Sequence, residues 1–200
     1  MHHSSKALLI FVKNPERGKV KTRLAQTIGD EQALKIYLEL LDYTRLLALE
    51  VEAERYLFYS RYVENQDEWS AQAFHKLVQE GNGLGERMDK AFQVALGLHA
   101  KAIIIGSDCA SLTPTIIENA FELLDVYDYV IGPASDGGYY LLAMKEPRPE
   151  LFQGISWSTD QVLSQTIERI KKRGQSYSLL PELSDIDRAE DWAKYGWKVD

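Results

Sequence analysis

The stretch KAIIIGSDCAS, residues 101–111, constrains the fold more than any other part of the chain. Ala102, Ile103, Ile104 and Ile105 form a short apolar run that stops abruptly at Gly106, Ser107 and Asp108. A small or β-branched run bounded by turn residues reads as a buried central strand. The Asp108 carboxylate then sits just past the strand's C-terminal end, the place where open α/β sheets bind ligands. A carboxylate there can hold a divalent cation, and the cation can hold phosphate. Asp108 therefore marks the expected active site.

A second strand is predicted at residues 7–12, ALLIFV, continuously apolar as a strand buried on both faces must be. It runs into KNPERGKVKTRL, where Lys13, Arg17, Lys19, Lys21 and Arg23 place five cations within eleven residues. Pro15 and Gly18 predict a loop with tight backbone turns here, not a helix. A basic, glycine-containing loop directly after the first strand suits a nucleotide phosphate. Arginine offers a bidentate fork and lysine a mobile point charge. A solvated charge run is the competing reading. The P-loop pattern GxxxxGK[ST] is absent.

The remaining elements follow from periodicity and turn residues. Residues 31–49 carry an apolar stripe at helical spacing, and residues 55–60 and 74–78 read as strands. In QEGNGLGERM, Gly81, Gly83 and Gly85 permit close backbone approach to a ligand before a helix with Leu84, Met88, Ala91, Phe92, Ala95 and Leu98 on one face; a plain glycine-rich turn is the alternative. Thr113-Pro114 is a helix start, with a hydroxyl N-cap and proline at N1. Residues 129–133 and 139–144 form two strands around Asp136, Gly137 and Gly138, which read both as a D-G hairpin turn and as a carboxylate presented beside Asp108. Trp157 is either an acceptor-pocket wall or a half-buried core residue. Ser158 or Thr159 is the expected N-cap of a helix over residues 160–172, and a last short strand covers residues 176–180. In SDID, Asp185 and Asp187 alternate around Ile186, so an extended backbone puts both carboxylates on one face. Either is a candidate second metal ligand, and an acidic helix cap facing water is the other reading.

Composition bounds the function classes. Two hundred residues are expected to form one domain, with residues 1–5 disordered or tag-like and His2 and His3 excluded from any metal site. A net charge of -7 argues against nucleic acid, whose backbone rewards basic faces. The lone Cys109 excludes an internal disulfide framework and fits a cytoplasmic location; without a nearby histidine it reads as a small hydrophobe and not a nucleophile. No apolar run reaches the roughly 18–20 residues of a membrane span, and MHHSSK lacks the look of a signal peptide.

The ordered set KxPxxGxVKTRL (Lys13 to Leu24), GLGERM, IGSDCxSLTP, GPAxDGGYYL and SDID resembles the bacterial DUF2064 family of the glycosyltransferase-A superfamily. The resemblance spans residues 7 to about 192 and extends, more distantly, to guanylyl- and cytidylyltransferases. It implies an α/β fold: a three-layer α/β/α sandwich with a mixed, mostly parallel sheet, the nucleotide-diphospho-sugar transferase fold. By resemblance Asp108 binds the divalent metal, Mg²⁺ or Mn²⁺, and Asp187 completes the site. The chain departs from the D-x-D pair of many glycosyltransferases, having Asp108-Cys109-Ala110. Ala110 also stands where related chains often have proline.

Two reactions fit these residues. The first is metal-dependent transfer from a nucleotide-diphosphate sugar to a small-molecule acceptor, with Asp108, Asp136 and Arg23 catalytic. Lys13, Gly18, Lys21, Arg23, Gly83, Gly85, Gly137, Gly138 and Trp157 would bind substrate. The second is nucleotidyl transfer from a nucleoside triphosphate to a phosphorylated acceptor, with Lys21, Arg23 and the metal stabilising charge. A non-catalytic nucleotide-binding module ranks third. An oligomer is open to all three.

Overall fold

The computed structural model describes residues 5–199; the tag-like reading of the first five residues and the exclusion of His2 and His3 fall, except for Ser5, outside that range. Seven strands form one sheet in the order β3-β2-β1-β4-β6-β5-β7. They are β1 (Lys6–Val12), β2 (Glu54–Tyr59), β3 (His75–Val78), β4 (Lys101–Ile105), β5 (Tyr129–Pro133), β6 (Tyr139–Met144) and β7 (Tyr177–Leu179). β6 runs antiparallel to β4 and β5, and every other pairing is parallel. β4 stands at the centre, as its apolar run requires.

The period of two along each strand sorts side chains to two faces. Leu8, Ile10, Ile103 and Ile105 pack against α2 (Asp30–Glu50) and α4 (Pro114–Leu123). Ala7, Leu9, Ala102 and Ile104 meet α3 (Leu84–Leu96) and α5 (Val162–Lys172) on the other side. The result is the expected α/β/α sandwich. No helix among the described residues is long and apolar enough to cross a membrane.

Thr113 caps α4 as expected, its Oγ1 accepting from the Ile116 amide at 3.4 Å. Cys109 is buried, and burial above all pushes its thiol up to about 12, so it is an inert core residue. Two local expectations are corrected. The basic segment does not stay in loop: α1 (Thr22–Ile28) begins within it, because only Pro15 and Gly18 oppose helix and both lie upstream. Nor is α5 capped by Ser158 or Thr159. The helix starts at Val162 with no side-chain cap, because Ser158 takes a left-handed conformation (φ 64°) and turns the chain before it.

Candidate active site

The chain moves outward from β1 to β2 and β3, then returns to the other side of β1 with β4. β1 and β4 are parallel neighbours whose following loops leave in opposite directions, and this reversal opens a crevice at their C-terminal ends. A pocket of about 640 Å³ occupies it.

The basic segment forms one wall and is tied down at its start. Buried Asn14 donates from Nδ2 to the Tyr62 carbonyl (2.9 Å) and accepts at Oδ1 from the Arg61 amide (3.1 Å). The Tyr37 hydroxyl donates to the Lys13 carbonyl (2.9 Å) and accepts from its N–H (2.8 Å). Lys21 then adopts the left-handed conformation (φ 48°, ψ 42°) and sends its ammonium into the pocket. There Nζ lies 2.7 Å from Asp108 Oδ1, with the lysine side chain 5% exposed. Arg23, on the first turn of α1, reaches Asp187 Oδ2 at 2.8 Å. Among the described residues Lys21 and Ser158 alone combine a side chain with positive φ, and both line this pocket. Strain of about 1–3 kcal/mol per such residue persists where the surroundings over-determine it, as functional sites do.

The opposite wall is acidic. After β7 the chain runs beside β5, through the Leu183 amide to the Pro133 carbonyl (3.1 Å), then crosses to β4, where the Ile186 amide donates to the Asp108 carbonyl at 2.8 Å. Ile186 is fully buried against Leu24, Ile36 and Leu40. The alternation expected from the sequence therefore turns Asp185 and Asp187 together into the pocket. Burial first, then the charges of Asp108, Asp136 and Asp187, push the Asp185 carboxyl up to about 7, against the pull of Lys21. Asp136 joins from the β5–β6 hairpin, its Oδ1 held by the Gly138 amide at 2.9 Å. Both readings of that turn hold: it is a hairpin and it presents a carboxylate.

These oxygen donors suit a hard divalent cation. No group of three or more His, Cys, Asp or Glu that could hold a metal ion exists among the described residues. Mg²⁺ commonly takes one or two carboxylates and completes its shell with water and substrate phosphate. Burial raises the Asp185 carboxyl first, and the charges of Asp108, Asp136 and Asp187 add to it; a cation bound here would relieve that second contribution.

Lys13, Lys21, Arg23, Asp108, Asp136, Gly138, Trp157 and Asp187 all line the pocket, whereas Gly18, Gly83, Gly85 and Gly137 do not. Gly85 makes room for Trp157, since a Cβ there would lie 2.7 Å from the indole Nε1. Gly137 (φ 88°) packs against the Asp160 backbone, and Leu163 N–H donates to its carbonyl at 2.9 Å. Gly83 occupies the cap position of α3, and Gly18 (φ 73°) turns the basic loop. Ser158, Thr159 and Asp160 line the pocket without having been foreseen, and only the adjacent Trp157 hinted at them.

The family described as "Uncharacterized protein conserved in bacteria (DUF2064)" matches residues 44–159, more than half of the chain. The chain belongs to the DUF2064 family. A candidate nucleotide-diphospho-sugar transferase from Desulfovibrio desulfuricans G20 resembles this DUF2064 protein with 31% identity and a TM-score of 0.86, over 92% of this chain and 83% of that one. The inositol-1-phosphate CTP transferase of T. maritima matches with a TM-score of 0.62 and 14% identity, covering 92% and 90% of the two chains. Glucosyl-3-phosphoglycerate synthase of Mycobacterium tuberculosis, solved with Mn²⁺, uridine diphosphate and glucosyl-3-phosphoglycerate, matches at 0.53 and 11% over 94% and 74%. The last two likenesses establish fold alone. No curated protein matches the sequence. The DUF2064 protein thus has the nucleotide-diphospho-sugar transferase fold, shared by sugar transferases and nucleotidyltransferases.

Proposed function

We propose that this chain is a metal-assisted transferase acting on a nucleotide-diphosphate sugar. The observation that carries the reading is the meeting of Lys21 with Asp108 in a single pocket, with Arg23 and Asp187 beside them. Lys13, Lys21 and Arg23 would grip the diphosphate, arginine as a fork and lysine as a point charge. A divalent cation, Mg²⁺ or Mn²⁺, held by Asp108 with Asp187 or Asp185 would supply charge neutralisation at the departing diphosphate. The acceptor hydroxyl attacks the anomeric carbon. The bond from that carbon to the diphosphate oxygen breaks, and its electron pair leaves with the diphosphate. Asp136, its carboxylate fixed by the Gly138 amide, takes the hydroxyl proton. Lys21 and Arg23 balance the charge that accumulates on the leaving group.

Nucleotidyl transfer is the second reading. It draws on the four cations of the pocket, Lys13, Lys19, Lys21 and Arg23, enough for a triphosphate. In that reaction the acceptor phosphate oxygen attacks the α-phosphorus and pyrophosphate departs with the electron pair. A thermal-shift panel of nucleotide sugars and nucleoside triphosphates, each with Mg²⁺ or Mn²⁺, separates the two. A ligand at about 100 times its Kd adds about 2.7 kcal/mol of stability. Selective stabilisation by an intact nucleotide sugar supports glycosyl transfer, and selective stabilisation by one triphosphate supports the second reading. A flat panel overturns both.

A further inference from the structure

The two sides of the pocket differ in charge. All four lining cations belong to the segment from Lys13 to Arg23. The far wall, built by Trp157, Ser158, Thr159, Asp160 and Val162 with Leu84 and Asp136, contains no cation. It offers an indole, two hydroxyl side chains and two carboxylates.

This wall is braced. Thr159 Oγ1 donates to the Ser156 carbonyl at 2.7 Å and accepts from the Gln161 amide at 3.3 Å. Gln165 accepts from the Ser156 amide at 2.8 Å. The glycine at position 137 lets the Asp160 backbone lie against the hairpin, and the one at position 85 lets the Trp157 indole lie over the start of α3. Ser158 is held in its left-handed conformation between these contacts.

We infer that the far wall recognises an uncharged, polyhydroxylated ring and excludes a phosphorylated one. The indole of Trp157 supplies an apolar face for the ring's C–H surface. Asp160 and Asp136 accept hydrogen bonds from ring hydroxyls, and Ser158 and Thr159 add shorter-range partners. A phosphate placed here would face two carboxylates with no cation to answer it, and like-charge juxtaposition rejects wrong partners. The ring is either the sugar of the donor or the acceptor, the chemistry being the same. This inference rests on the transferase reading and deepens it: a phosphorylated acceptor does not fit this wall.

Saturation-transfer NMR on the full chain tests it. The probes are methyl glucoside, methyl mannoside and myo-inositol, set against glucose 6-phosphate and glycerol 3-phosphate. All spectra are recorded with Mg²⁺ and excess inorganic pyrophosphate, which fills the basic segment and keeps it from capturing the phosphorylated probes. The expected result is transfer to at least one neutral probe and none to the phosphorylated ones. Asp160→Asn, an exposed change that leaves the fold intact, should weaken that binding about tenfold, and Trp157→Ala should abolish it. Ser158→Lys should let a phosphorylated probe bind. Stronger transfer to the phosphorylated probes in the unsubstituted protein overturns the inference. So does neutral-probe binding insensitive to both variants, or no neutral-probe binding at all. Displacement of the neutral probe by a nucleotide sugar but not by its nucleoside diphosphate assigns the wall to the donor; coexistence with the nucleotide sugar assigns it to the acceptor. Neutral-ring binding alongside a flat nucleotide panel would remove the transferase reading and leave this site standing.

Discussion

Lys21 Nζ lies 2.7 Å from Asp108 Oδ1 and 2.6 Å from the carbonyl oxygen of Ile186. A buried ammonium requires such partners, and here it occupies the carboxylate proposed to hold a metal. Divalent cations should therefore bind the nucleotide-free protein weakly. Lys21→Met should raise Mn²⁺ affinity about tenfold in the absence of nucleotide, equivalent to about 1.4 kcal/mol. Isothermal titration checks this, and an unchanged affinity would mean that the lysine does not compete for the site. Asp108→Ala should abolish metal-dependent nucleotide binding while the melting transition persists.

Arg23 is well exposed and, among the described residues, is anchored by Asp187. A phosphate arriving at the pocket can recruit it without disturbing the core. Arg23→Ala should weaken binding of a nucleoside diphosphate about tenfold and leave the nucleoside unaffected. Equal losses for the two ligands in a titration would contradict a phosphate contact.

Gly137 combines positive φ with a position where a Cβ would collide with the carbonyl oxygen of Asp160. Gly137→Ala should cost about 2–4 kcal/mol in chemical denaturation. The strain falls on residues 158–160, so neutral-ring binding should also fail. A fully stable variant would show that the hairpin and this wall are not in register.

Asp128 joins β5 to β7 away from the pocket. Its Oδ2 accepts from the Ser176 amide (2.8 Å) and hydroxyl (2.7 Å), and these bonds hold the carboxyl below its usual range. The folded pKa lies below the unfolded value of about 3.8, so the contribution is present above that value and lost as pH falls through the folded pKa. Asp128→Asn should cost about 1 kcal/mol at pH 7, with the deficit closing below pH ~4. A deficit independent of pH in denaturant titrations would refute the linkage.

The central strands β1 and β4 were legible because each is an apolar run ending at turn residues, and the β4–Asp108 boundary located the crevice directly. The pairing of Asp185 with Asp187 followed from period-two geometry alone. What stayed hidden depended on contacts between distant segments. Nothing local shows that Lys21 is left-handed, since lysine has no preference for that conformation and the constraint comes from Asp108 and Ile186. The glycines at 85 and 137 looked like ligand loops, yet the bodies that approach them are Trp157 and Asp160 of this same chain. Ser158, Thr159 and Asp160 read as a helix start because hydroxyl and acidic residues favour that role, and tertiary bracing overrode it.

The strap at residues 183–187 gives the pocket no local version. Its acids meet the cations of residues 13–23 through the Ile186 amide on Asp108, the Ile186 carbonyl on Lys21, the Asp187 carboxylate on Arg23 and the Ile186 side chain among Leu24, Ile36 and Leu40. Ligand occupancy and the cohesion of the whole sheet are thus one equilibrium: hydrogen exchange at the Ile186 amide should slow in step with exchange in β4 whenever a nucleotide is bound, and no excised fragment should retain any part of that response.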